Sequence, residues 1–195
     1  MSAVFDILRV VHLFTAILMA WPFYALVAVN QRVRLGSPMG DRTDLYMENI
    51  IKNRTVPCLI FQFTAGITGI ALMLLRGVGL GALVTNPAIA LKAAILTFVI
   101  GLLSYVHLVL QPKIDVLFAQ AGDGPMPPEI AESIGPLRKL RTRFATTCLF
   151  CVLVIALLAV QVWAMFPLWL NGVLFAAIIV FVWRTFNSYM QYGWW

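Results

Sequence analysis

Long apolar runs alternate with shorter polar and basic segments along this chain, and this pattern predicts its class. Each run is close to the roughly 20 residues that an α-helix needs to cross a hydrocarbon core of ~30 Å. The five runs cover residues 4–30, 55–75, 87–110, 144–165 and 166–183. The pattern predicts an all-α fold: a polytopic membrane helix bundle, with a four-helix antiparallel core plus a fifth transmembrane helix, as a single domain over residues 1–195.

Two boundaries in this scheme depend on Gly, Pro and polar residues rather than on hydropathy. Phe166, Pro167 and Asn171 divide the last two runs, which would otherwise form one helix far too long for a single crossing. The segment 121–136 is rich in Gly, Pro and acidic residues, and it predicts a turn followed by a short surface helix.

The first run is too long for a signal peptide and has no small-residue cleavage site, so we expect it to be retained.

The composition supports the same class. Hydrophobic residues make up 62% of the chain and charged residues 11%, with a mean hydropathy of +0.91. A soluble domain carries about 25% charged residues, because water must solvate its surface. Most of this surface is therefore expected to contact lipid. The net charge of +6 could indicate a nucleic-acid partner, but the cations flank apolar runs and form no basic face with interleaved aromatic residues. We therefore expect no nucleic-acid partner.

The basic residues also predict the orientation. Ten of the 14 cations lie in two segments: Arg32, Arg34, Arg42, Lys52 and Arg54, and Lys113, Arg138, Lys139, Arg141 and Arg143. The positive-inside rule places both segments in the cytoplasm. It predicts a protein of a bacterial inner membrane with its N-terminus outside and its C-terminus inside. The run from Arg138 to Arg143 is expected to anchor lipid headgroups, with a specific acidic partner as the alternative.

Among the polar side chains within the predicted spans, where burial in hydrocarbon is costly and usually reflects a function, we assign depths to four. Counted from each helix centre, His12 lies ~7 Å and Lys92 ~10 Å to the outer side of the midplane. His107 lies ~13 Å and Gln62 ~6 Å to the inner side. These depths predict two levels, an outer one with His12 and Lys92 and an inner one with His107, Gln62 and Cys58.

The histidines are candidate haem ligands. His12 and His107 differ in depth by ~20 Å, so one haem iron cannot accept both. For a haem b, the preferred axial ligand is His12, with Arg9 and Lys92 neutralising the propionates near the outer surface. His107 would then serve a separate site or none. The alternative is that both histidines only form hydrogen bonds to neighbouring helices.

The three cysteines, Cys58, Cys148 and Cys151, are too few and too scattered to form a disulfide framework. Cys148 and Cys151 share a helix face, and a soft-metal site together with Cys58 and His107 is one interpretation. The preferred interpretation is apolar filling in a reduced compartment. Within the spans, no Ser/His/Asp set and no pair of acidic residues predicts catalysis, so the sequence leaves enzymatic activity open.

Four short stretches resemble the HemJ-type protoporphyrinogen oxidases and the related CopD-like copper-resistance membrane proteins. They are the helix opening from Ile7 to His12, the stretch from Asn49 to Pro57 followed by Gly66, Lys92 near the start of the third span, and the pair Tyr105 and His107. The resemblance implies haem b, with His12 and Lys92 at functional positions, and oxidation of a porphyrinogen coupled to a respiratory acceptor. Residues 143–148 depart from the family, which has an Asn-Glu-Pro-like element there. The resemblance therefore implies the bundle and the haem more strongly than the oxidase reaction.

Three functions follow as hypotheses. The first is a haem-b redox or electron-transfer protein. The second is a non-catalytic accessory subunit that anchors a larger membrane complex, with other membrane subunits or a second copy of the chain as partners. The third is a copper or small-solute transporter of the CopD-like kind.

Overall fold

The computed structural model describes residues 3–20, 22, 39–121, 126–161 and 165–187. In these ranges the chain forms helices joined by short turns, and no strand is present. The helices are α1 (Ala3–Leu18), α2 (Arg42–Lys52), α3 (Thr55–Leu75), α4 (Ala82–Thr85), α5 (Pro87–Tyr105), α6 (Gln111–Ala121), α7 (Pro128–Gln161) and α8 (Leu168–Asn187). A π-helical turn, Val106–Leu110, joins α5 to α6.

Four helical stretches in the described residues are long and apolar enough to cross a membrane: 42–75, 87–121, 128–161 and 168–187. The prediction of an integral membrane protein is thereby confirmed at the level of its class. Helix α1 has 16 described residues. The rest of the first predicted span, apart from short pieces, lies outside the described residues, so the fifth crossing stays a prediction.

Local sequence explains where the helices begin. Asp41 caps α2, and its carboxylate accepts a hydrogen bond of 2.7 Å from the backbone N–H of Asp44. Asn86 caps α5 in the same way, with Pro87 in the first turn, where a missing N–H costs nothing. The turn between α3 and α4 needs glycine, because Gly77 and Gly79 have φ angles of 70° and 72°.

Contacts at both ends of α1 and α3 show that these two helices run antiparallel. On α1 and α3, early Phe5 meets late Arg76, whereas late Met19 meets early Cys58. Tyr105 of α5 stacks edge-on with Phe144 of α7, and Phe150 of α7 stacks edge-on with Phe175 of α8. All five helices contribute to one apolar core, whose buried members are Met19, Ala65, Val99, Cys148, Leu149, Cys151, Val152 and Val182.

The helices continue well beyond the apolar runs at one end of the molecule. The separate surface helix predicted within residues 121–136 is not found, because from Pro128 onward these residues open α7, which runs unbroken to Gln161; the predicted turn before it falls largely on residues 122–125, outside the described residues. With 34 residues, α7 is ~51 Å long, so its first part projects beyond a hydrocarbon core of ~30 Å. Helices α2 and α6 project at the same end. These extensions are stable because their charged side chains pair with one another.

Candidate functional site

His12 lies on the face of α1 that packs against α3. Its Nδ1 is 3.0 Å from the hydroxyl oxygen of Thr68. That hydroxyl also lies 2.7 Å from the carbonyl of Thr64 and 3.3 Å from the carbonyl of Ala65, and when it donates its proton to one of them it can accept from the Nδ1–H of His12. A neutral imidazole in that arrangement has its lone pair on Nε2.

A glycine on α3 makes room for this imidazole. A Cβ atom on Gly69 would lie 3.3 Å from Cε1 of His12, a separation tighter than most real Cβ contacts. The backbone carbonyl of Ala65, one turn earlier, also interacts with the ring. Thr68 and Ala65 therefore hold the His12 ring against the part of α3 where Gly69 has no side chain.

The structure brings Lys92 to the same site. Lys92 lies on α5, is half-buried, and is close enough for its charge to act on His12. Arg9 is three residues before His12 on α1 and is exposed. His107 does not join them: it is half-buried in the π-helical turn, toward the end of the molecule where Val106 packs with Phe144.

The other polar residues of the predicted inner level form a small cluster on α3. The Gln62 amide donates to the sulfur of Cys58 at 3.6 Å, and the Cys58 thiol faces the carbonyl of Met19 at 3.9 Å. Cys148 and Cys151 are buried in the apolar core. Within the described ranges, no group of three or more His, Cys, Asp or Glu side chains is placed to hold a metal ion.

A second concentration of polar groups lies where α2, α6 and α7 project from the apolar core, and we call it the charged layer: Asp44, Glu48, Gln111, Arg138 and Arg141. Two nitrogens of the Arg141 guanidinium bind the Glu48 carboxylate, with Nη2 at 2.9 Å from Oε2. Nη1 of Arg141 also donates to Gln111 at 2.7 Å. Arg138 binds Asp44 through two hydrogen bonds of 3.1 and 2.9 Å. Three helices, α2, α6 and α7, are thus tied together, because bidentate pairs fix both partners.

The charged layer keeps Glu48 ionised although this side chain is buried. Glu48 lies in α2, almost two helical turns before the apolar helix α3 begins at Thr55. Burial by itself would raise the pKa of Glu48, but the hydrogen bond and charge of Arg141, the charge of Arg138 and the hydrogen bond of Gln111 lower it to about 2.

The expectation that the run from Arg138 to Arg143 only anchors lipid is wrong for two of its members. Arg138 and Arg141 point inward and bind acidic residues of α2, whereas Lys139 and Arg143 are exposed. The acidic partners of these two arginines are Asp44 and Glu48 of the same chain. The spacing contained this signal, since the two arginines are three residues apart and share a helix face, as Asp44 and Glu48 do at four.

No protein-family model, no curated protein and no solved structure matches this chain. The two concentrations of polar groups therefore have to be interpreted from their own chemistry. The charged layer neutralises itself and joins helices. The site around His12 holds an imidazole, hydrogen-bonded through Nδ1 to Thr68, next to a cation, which is an arrangement that can ligate a metal or a haem.

Proposed function

We propose that this chain is an integral membrane haem-b protein that acts in a redox or electron-transfer reaction, with His12 as the axial ligand. The observation that supports the proposal is the hydrogen bond between Nδ1 of His12 and the hydroxyl of Thr68, which can accept from Nδ1–H because two backbone carbonyls, of Thr64 and Ala65, lie within reach of its own proton. A ligating histidine almost always donates its second ring nitrogen to such a partner, which fixes the ring and its tautomer.

The surrounding residues fit a haem in their donor chemistry. His12 offers Nε2 to the iron, and Gly69 keeps the helix surface beside the ring free of side-chain atoms. Lys92 and Arg9 would hold the propionates as counter-charges. A bound haem supplies one-electron chemistry, while the protein sets its potential through the ligand, the hydrogen bond behind it and the apolar surroundings.

The orientation is part of the same proposal. The positive-inside rule puts the charged layer at the cytoplasmic face of a bacterial inner membrane, which leaves the N-terminus outside and the C-terminus inside. His12 is then nearer the outer face, because α1 begins at the end of the molecule opposite the charged layer. Substituted-cysteine labelling at exposed Glu132 and at exposed Val78 would test this, with Glu132 reached only from the cytoplasm.

An absorbance spectrum tests the haem directly. The protein purified in mild detergent should show a Soret band and a pyridine-haemochrome signal of haem b. The band should be lost in His12→Gly and return when imidazole is added, because free imidazole can enter the space that the side chain leaves. His107→Gly is the matched control and should keep the band. Colourless wild-type protein, from cells supplied with haem precursor, would refute the proposal.

An accessory membrane subunit is the second candidate, and the surface of α8 favours it. This helix packs on α7, and apolar side chains, among them Trp169, Val173, Ile179 and Trp183, are exposed around it. A second copy or another membrane subunit would bury them. Cross-linking in membranes through Val173→Cys should then trap a larger species, which Val84→Cys, exposed on α4, should not.

A further inference from the structure

Two cations of α7 lie beside the charged layer without belonging to it. Lys139 and Arg143 are exposed, and in the ranges that the structure describes no carboxylate forms an ion pair with either. Arg138 and Arg141 of the same helix are, by contrast, bound to the acids of α2. Like charges four residues apart on a helix repel one another. The positive charge of Lys139 and Arg143 is therefore available to an anion from outside the chain.

These two cations lie where α7 enters its apolar run. Arg143 directly precedes the run 144–165, and Lys139 lies about 6 Å, roughly one turn, before it. Glu132, an acid on the same face, is a further ~10 Å away along the helix axis. At the boundary of the hydrocarbon, negative charge is supplied by the head groups of anionic lipids, which attract basic residues next to a span. The depth of the pair therefore favours a lipid as its anion.

The same face of α7 continues into an apolar contact with α8. Residues 139, 143 and 150 lie within about 40° of one another around the helix, because spacings of four and seven are close to one and two full turns. Phe150 stacks edge-on with Phe175 of α8, with the ring centroids 5.8 Å apart, and Phe175 is 42% exposed. We call Lys139, Arg143, Phe150 and Phe175 the α7–α8 seam. It has cations at one end and exposed aromatic surface at the other.

We propose that the α7–α8 seam binds one anionic phospholipid, with its phosphate at Lys139 and Arg143 and an acyl chain along Phe150 and Phe175. The Arg143 guanidinium can bind two phosphate oxygens at once, and Lys139 adds a point charge. The distance fits, since an acyl chain that starts at the head group extends past Phe150, which lies ~10 Å along the helix from Arg143. None of these residues belongs to the site at His12, so this proposal and the haem proposal can fail separately.

Native mass spectrometry of the full chain in detergent measures lipid binding. The probes are anionic dioleoylphosphatidylglycerol, zwitterionic dioleoylphosphatidylcholine and inorganic phosphate. One phosphatidylglycerol per chain should bind about 25-fold more tightly than phosphatidylcholine, because each of the two cations contributes about fivefold. Inorganic phosphate should bind far more weakly, because it has no acyl chain. Equal affinity for the two lipids, or inorganic phosphate bound as tightly as phosphatidylglycerol, would overturn the proposal.

A double variant and its charge-matched control test the cations. Lys139→Gln combined with Arg143→Gln should lower the affinity for phosphatidylglycerol about 25-fold and leave that for phosphatidylcholine unchanged. Arg42→Gln combined with Lys113→Gln removes the same net charge from exposed positions on α2 and α6, and it should bind phosphatidylglycerol normally. Both variants change only exposed side chains, so their melting temperatures should stay near that of the wild type. Equal losses in the two variants would mean diffuse attraction and no defined site.

The acyl chain is tested on α8. Phe175→Ala should weaken phosphatidylglycerol binding, whereas Val173→Ala, which shortens an exposed side chain on the other side of α8, should not. Normal lipid binding in the Lys139 and Arg143 double variant, together with loss of the species cross-linked through Val173→Cys, would assign these cations to a protein partner and would overturn the proposal. Haem absorbance should be the same in the wild type and both double variants, which separates this result from the proposal for His12.

Discussion

The charged layer and the site around His12 bury polar groups in opposite ways. In the charged layer, each carboxylate of α2 meets at least one guanidinium, and Glu48 meets two. At His12 the imidazole has a hydroxyl partner, and the structure pairs neighbouring Lys92 with no carboxylate in the part of the chain that it describes. Charged side chains that form ion pairs with one another stabilise the packing of the helices. A cation left uncompensated within an apolar span is costly, and for this reason we treat the surroundings of His12 and Lys92 as a candidate ligand site.

The largest expected effect comes from breaking the charged layer. Glu48→Ala leaves Arg141 buried without its carboxylate, and we expect the free energy of unfolding in detergent to fall by about 3–5 kcal/mol. Denaturant titration with purified protein measures it. Glu132→Ala removes an exposed acid of α7 and should change stability by less than about 0.5 kcal/mol. Equal losses in the two variants would show that the layer does not hold the helices together.

Acid should weaken the same layer. The pKa of Glu48 is about 2 in the folded chain, against an ordinary value of 4.5, so its contribution is complete above pH 4.5 and is lost as the pH falls toward 2. The shift corresponds to about 3 kcal/mol at most. Melting temperatures of the wild type should fall across this range more steeply than those of Glu48→Gln. Parallel curves would contradict the assignment.

The hydrogen bond behind His12 should matter for the cofactor more than for the fold. Thr68→Val keeps the shape of the side chain but removes the acceptor, and we expect haem affinity to fall about 10–100-fold. Thr68→Ser should restore it. Thr64→Val, one turn earlier, is the control, because the Thr64 hydroxyl bonds only to the carbonyl of Ile60 among the described contacts. Titration of apoprotein with haem measures all three, and normal affinity in Thr68→Val would remove this role.

Overpacking at Gly69 should have a smaller effect. Gly69→Ala places a methyl group against the His12 ring, and we expect a loss of about 1–2 kcal/mol in stability together with a shifted haem spectrum. Gly101→Ala introduces the same group into open space and should be neutral in both respects. An unshifted spectrum in Gly69→Ala would place the ring elsewhere.

The exposed ion pair at the edge of the charged layer should matter least. Lys52 lies 2.7 Å from Asp115, but their side chains are 48% and 33% exposed. Solvent screens such a pair, so Lys52→Ala should cost less than about 1 kcal/mol, and salt should reduce that difference further. A loss as large as that of Glu48→Ala would mean that burial does not distinguish these contacts.

The apolar crossings could be predicted from sequence because hydropathy is a local property. The helical stretches 42–75 and 87–121 contain the predicted runs 55–75 and 87–110, and the stretches 128–161 and 168–187 cover most of the runs 144–165 and 166–183. The extensions at α2, α6 and the start of α7 could not be predicted from hydropathy, since their charged residues are stable as helices only when Glu48 and Arg141 meet across 93 positions of sequence. The spacings of the acids and of the arginines were the available signal.

The candidate site could be predicted in part. His12 and Lys92 stood out because ionisable groups are expensive within a span. Thr68 did not, since a threonine in a membrane helix usually bonds to its own backbone, and here it does so while also accepting from His12. The π-helical turn that contains His107 has no local sequence signal, and it appears only once α5 and α6 are seen as one continuous helix.

The most direct test of the account is the haem content per chain of three purified proteins, measured side by side: wild type, His12→Ala and His107→Ala. The account predicts close to one haem b per chain in wild type and His107→Ala, and almost none in His12→Ala. Wild-type haem content in His12→Ala, or loss of haem only in His107→Ala, would contradict it.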